Sequence, residues 1–160
     1  MRTLRVFVCV VCASAMLLLA LSAHAKTDAK HAGVPPFGDP AEVAILFVDQ
    51  TLRLSAAEGL NGLIGYAAEQ YLRGRDNMGS EEGQVQARTA WFAYSRAMML
   101  LEQYQGERTD DYEETLITLD VGLREVGELF GWNTDEAVRR YTMTSMLFQR
   151  RMADLEKKKK

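Results

Sequence analysis

Between Leu60 and Leu72 apolar side chains recur at every third or fourth position, through Leu63, Ile64, Ala67, Ala68 and Tyr71. That spacing lines one face of a helix. Further along, Ala90, Ala93, Tyr94, Ala97, Leu100, Leu101 and Tyr104 predict a helix that starts near Ser80 and ends about Gln105, with Trp91 and Met98 on the shoulder of its core face. The polar stripe opposite, Arg88, Thr89, Ser95, Arg96, Glu102 and Gln103, reads as solvated. Leu116, Leu119, Leu123, Val126 and Phe130 alternate by three and four up to Gly131, a seam too short for a free coiled coil. Ala137, Tyr141, Ser145, Phe148, Met152 and Leu155 mark a last helix, broadened by Met143, Met146 and Leu147. Val43 to Val48 is apolar nearly all round, so the first helix is expected to be mostly enclosed.

The ends of these segments carry capping signals. Asp39, Pro40 and Glu42 fall where an N-cap, a first-turn proline and a capping-box acid belong, and Ser55 with Glu58 forms a second box that predicts a bend or restart at Ser55. Ser80, Asp110 or Asp111, and Asn133 are the later caps. Gly59, Gly62 and Gly65 each cost about 0.8 to 1.0 kcal/mol of helix propensity relative to alanine, so they are read as a close helix contact that a side chain would block. Arg73 to Gly83 has neither the G-K-[ST] end of a phosphate loop nor the offsets of a calcium loop, and reads as a connector. The expected fold is all-α: a compact antiparallel bundle of about five helices over residues 39–156.

The N-terminal end reads differently. Arg2 and Arg5 precede an apolar run from Val6 to Leu21, and Ala23-His24-Ala25 is a small-residue cleavage site, which predicts a signal peptide over residues 1–25 removed before Lys26. The run is shorter than the ~20 residues of a spanning helix. Cys9 and Cys12 both lie inside it, so their C-x-x-C spacing is not read as a redox pair and the mature chain holds no cysteine. Residues 26–38 follow as a flexible lead-in. Export is the implied destination, to the periplasm in a bacterium and otherwise to the outside of the cell.

Charge changes the picture again. Of 19 Lys and Arg, two lie in the signal segment, leaving 17 against 22 Asp and Glu. From Asp39 to Gln149 there are 19 acids, nine arginines and no lysine, whereas Arg150, Arg151 and Lys157, Lys158, Lys159 and Lys160 crowd the last eleven residues. An acidic body argues against nucleic acid, whose affinity comes mostly from phosphate neutralisation. The basic tail is a candidate for weak contact with an anionic surface, though cations also suit a helix C-terminus.

After cleavage His31 in the lead-in is the only histidine, which removes Ser-His-Asp and Cys-His catalysis, H-E-x-x-H zinc sites and Glu-x-x-His di-iron sites on residue count. No cofactor is implied. Most acids stand in caps or first turns, where they complement the helix dipole, so a carboxylate hydrolase is the weakest reading. Ala90-Tyr94-Ala97 and Ala137-Tyr141-Thr144 echo one another 47 residues apart, against a period of about 34 in tetratricopeptide repeats, and no repeat is assigned. Trp91, Tyr94, Met98, Met143 and Met146 form the candidate interaction surface, because aromatic and methionine side chains suit an adaptable groove. The expectation is a non-enzymatic exported protein that binds another protein, as an adaptor of an envelope or secretion assembly or an immunity-type inhibitor, with self-association open. The alternative is a carrier or sensor of an apolar small molecule or lipid.

Overall fold

The computed structural model describes residues 36–106 and 108–159. The predicted signal peptide with Cys9 and Cys12, the lead-in as far as residue 35 with His31, and Lys160 lie outside the described residues. Four helices account for nearly all that is described: α1 (Ala41–Asp76), α2 (Glu81–Glu102), α3 (Asp110–Leu129) and α4 (Thr134–Lys157). The described chain is therefore all-helical, as the periodicity predicts, with four helices where about five are expected. The difference lies in α1. Residues around Ser55 stay helical, and the break falls at Gly59 alone, with φ 67° and ψ −160°. Only a residue without a Cβ adopts that left-handed backbone cheaply. The bend is sharp: the Gln50 side-chain amide donates to the Tyr66 hydroxyl at 3.0 Å, although 16 residues of straight helix would span about 24 Å.

Around this folded arm the structure is organised by α2. Every residue from Thr89 to Met99 is buried, so α2 is enclosed on all sides rather than on one face. α1 covers it most extensively and α3 next. Ala44, Val48, Leu63 and Ala67 of α1, Leu116, Leu119 and Val126 of α3, and Leu147 and Phe148 of α4 join it in a single core. The middle of the α2 stripe expected in solvent is inside, for Thr89 and Ser95 are buried and Arg96 is only 9% exposed, whereas Glu102 and Gln103 at its end are exposed as expected. The first helix departs the other way, for Val43 and Ile45 are exposed and Leu46 is 67% exposed. A pattern that is apolar all round cannot say which side the neighbours occupy.

Caps behaved according to how local they are. Ser80 accepts from the Gly83 N–H at 3.0 Å and Asn133 from the Glu136 N–H at 2.9 Å, both as expected. Thr109, not Asp110 or Asp111, caps α3. Asp39 caps nothing, since Pro40 holds that position without a side-chain bond and the Asp39 carboxylate is taken by Arg88 of α2 at 2.7 Å. Two ties of long sequence reach complete the frame. Arg151 forks onto Asp49 with two bonds of 2.7 Å, joining α4 to α1, and the buried Trp91 indole N–H donates to Thr144 at 2.9 Å, joining α2 to α4.

Gly59, Gly62 and Gly65 do not form a close helix contact. A Cβ at Gly59 or Gly65 would meet nothing within 4 Å, and one at Gly62 would meet Glu58 of the same helix. Close approach is used elsewhere: a Cβ at Gly74 would stand 2.7 Å from the Ala87 backbone nitrogen, and one at Gly122 would stand 2.6 Å from the Tyr94 ring. Two alanine substitutions should therefore differ in sign. Gly65→Ala, in open helical backbone, is expected to raise stability by about 0.4 to 1 kcal/mol. Gly122→Ala, which must displace a buried ring, is expected to lower it by about 1 to 3 kcal/mol; denaturant unfolding of the two variants checks both.

Candidate functional site

The residues singled out as an interaction surface are interior. Trp91, Tyr94, Met98 and Met143 are between 0% and 7% exposed, and Met146 is half-buried. Burial, with the nearby Glu125 and Tyr71, pushes the Tyr94 hydroxyl up to about 12. These side chains fill the core because α2 is enclosed, and periodicity could not distinguish a face that packs from one that waits for a partner.

A cleft of about 380 Å³ opens beside them, where the chain entering α1, the N-terminal part of α2 and the α3–α4 junction converge. Its walls are Phe37, Phe130 and Trp132, with Met78 and Leu129 adding apolar surface and Gln84, Arg88 and Arg140 supplying the polar groups. Phe37 belongs to the stretch read as flexible lead-in. Pro36 is fully buried, Gly38 turns the chain with φ 72°, and the Phe37 ring lies 4.9 Å from Phe130, 5.1 Å from Trp132 and 6.5 Å from Trp91. Trp132 in turn stacks on Phe130 at 5.0 Å and meets Trp91 edge to face at 5.0 Å. Offset and edge-on contacts at these separations are the favourable ones for aromatic rings. Residues 36–38, the core and the α3–α4 turn are thus one packed unit at this end.

Each arginine of the cleft is laid on a ring and held by one acid. The Arg88 guanidinium lies 5.5 Å from the Phe37 ring centre and gives Nη1 to Asp39 at 2.7 Å. Arg140 lies 5.0 Å from the Trp132 ring centre and gives Nε to Glu136. Contact over a ring face favours a cation, and the acid fixes its rotation. Neither guanidinium is used up. Arg88 keeps an Nε–H that is buried with no acceptor among the described residues, and its Nη2 makes no hydrogen bond there. Arg140 is hydrogen-bonded through Nε alone, and its two terminal nitrogens make no hydrogen bond among the described residues. Sequence reading missed this pair because 52 residues separate its members; the available signal was the cluster of Phe130 and Trp132 just after the leucine seam.

Elsewhere, Arg96 is buried in α2 with Nε and Nη1 lacking acceptors among the described residues, and burial pushes its guanidinium pKa down. The basic tail is partly committed. Arg150 is exposed, Lys157 closes α4 and Lys158 and Lys159 extend past it, but Arg151 is bound to Asp49, whose carboxyl it holds below the usual range against the opposing effect of burial. Among the described residues no three His, Cys, Asp or Glu side chains gather as a metal-binding group, and no helix is long and apolar enough to cross a membrane. Comparison with protein-family models, with curated proteins and with solved structures returned no match to this chain.

Glu136 reports on the cleft. Burial raises its carboxyl pKa, but hydrogen bonds and charge from Arg140 and Arg139 outweigh this and hold it below the ordinary value. Arg140→Met keeps much of the apolar stem over Trp132 and removes the charge, so the Glu136 carboxyl should titrate at higher pH in that variant. A site-resolved NMR titration showing no upward movement would mean that Arg140 does not hold Glu136 in solution.

Proposed function

We propose that this chain is an exported, non-enzymatic helical protein that binds another protein, as an adaptor or an immunity-type inhibitor, and that the partner seats in the cleft between Arg88 and Arg140. One observation carries the reading: two guanidinium groups, each laid on an aromatic ring and steadied by an acid, border an open cleft, and Arg88 Nη2 and both terminal nitrogens of Arg140 make no hydrogen bond among the described residues. Tryptophan and arginine are the residue types that dominate binding energy at protein interfaces. Because both arginines are already oriented, little side-chain entropy remains to be lost on binding, which favours affinity. Exposed Val43, Ile45 and Leu46 on α1 supply apolar surface for a wider footprint. The sequence pattern of Arg2, Arg5, the apolar run and Ala23-His24-Ala25 supports export. The cleft volume also suits a small ligand, at the low end of the roughly 300 to 1,000 Å³ of such sites, but its half-polar lining fits a carrier of purely apolar cargo poorly.

Crosslinking in the native compartment, followed by mass spectrometry of what copurifies, tests the proposal. The wild-type chain should yield one stoichiometric partner. Arg88→Glu and Arg140→Glu, with folding checked by circular dichroism, should each reduce its recovery at least about tenfold, as expected for the loss of a buried hot-spot contact, while Arg150→Glu leaves it unchanged. Equal recovery from all four proteins would overturn the proposal.

A further inference from the structure

The open donor edges define what the cleft would hold. On Arg88, Nη1 is bound to Asp39 and Nε is buried, which leaves Nη2; on Arg140 the spent nitrogen is Nε, bound to Glu136, which leaves the end edge of Nη1 and Nη2. Two parallel N–H groups at the edge of a planar guanidinium match the two oxygens of a carboxylate. Phe37, Trp132, Met78 and Leu129 give the cleft apolar walls suited to an apolar or aromatic body.

The surroundings limit the charge of the guest. The body of the protein from Asp39 to Gln149 carries 19 acids against nine arginines, a field that repels a strongly acidic segment. A single carboxylate on an apolar body meets both conditions. Gln84, which also lines the cleft, adds an amide able to pair with a peptide group.

We propose that the cleft binds the free C-terminal carboxylate of a partner chain that ends in an apolar or aromatic residue. The inference rests on the protein-binding reading above and names the chemistry of the partner at the same site. Its probes are N-acetyl-phenylalanine, the neutral N-acetyl-phenylalaninamide, and 3-phenylpropionate, which keeps the carboxylate and ring but lacks the peptide group. The full chain has two tryptophans, so the indole N–H signal of Trp132 reads the cleft and is told apart from that of Trp91, which donates to Thr144 in the core.

N-acetyl-phenylalanine should bind saturably and shift Trp132, at least about tenfold tighter than its amide, since a charge-assisted bond is at stake. Arg88→Gln and Arg140→Gln should each remove that advantage, and Arg140→Lys, which keeps charge but loses the planar edge, should recover only part of it. Equal affinity for acid and amide, or indifference to all three substitutions, would overturn the carboxylate assignment even if cleft variants still lose a crosslinked partner. Equal affinity for 3-phenylpropionate would overturn the chain-end assignment and make the ligand a free organic acid. Tight, arginine-dependent binding of N-acetyl-phenylalanine supports the inference, and stands apart from a failure to find any partner whose recovery depends on the cleft.

Discussion

Enclosing α2 on every side constrains everything else in this fold. A helix at the surface needs cover on one stripe, but from Thr89 to Met99 each turn of α2 is buried whichever way it faces, so three other helices must surround it. α1 meets part of that demand by folding at Gly59, which brings Leu63 and Ala67 into the same core as Ala44 and Val48. A straight helix of 36 residues would be about 54 Å long and most of it could not touch α2. The glycine that looks like a weakness in helix propensity is what lets one helix serve as two walls.

Enclosure also forces polar groups on α2 to find partners inside. Thr89 returns its hydroxyl to the Val85 carbonyl at 2.8 Å, the local solution open to a threonine in a helix. Trp91 reaches across to Thr144, which passes its own proton to the Arg140 carbonyl at 2.8 Å. That chain of two bonds links the centre of the core to the backbone of the residue whose side chain borders the cleft. Arg88 solves the problem in part by stretching to the rim, where Asp39 and the Phe37 ring receive it while its Nε stays without an acceptor among the described residues. Arg96 Nε and Nη1 and the Ser95 hydroxyl do not solve it among the described residues, a cost that the core packing of the helix as a whole must offset.

How much of this was legible follows from range. Helix positions were readable because a repeat of three and four is local, and so were the caps at Ser80 and Asn133, whose partners lie three residues away. Asp39 shows the limit: its local chemistry is that of a cap, but a guanidinium 49 residues on brings a full positive charge that a backbone N–H lacks. Arg96 shows it again, since alternation of polar and apolar residues identifies a solvated face only when one face is free. The cleft was illegible for the same reason. Phe37, Arg88 and Trp132 carry no mutual spacing that any motif could encode, and only the turn at Gly38 and the close of α3 bring them together.

The cleft's electrostatics can be separated from those of the acidic body by distance. At physiological ionic strength exposed charges are screened over about 8 Å, so the surplus of acids governs how fast an anionic partner approaches more than how firmly it is held once seated. Firmness depends on groups in contact, and here each guanidinium is fixed by an acid on one side and a ring beneath. Asp39 and Glu136 thus act in two opposed ways: they cancel charge, which weakens attraction at long range, and they fix geometry, which strengthens a planar contact at short range. A site built this way discriminates by shape and bond pattern. A lysine, whose ammonium is a point charge without an edge, could keep the cancellation but not the geometry, which is why the arginines rather than their charge are the informative feature of this end of the bundle.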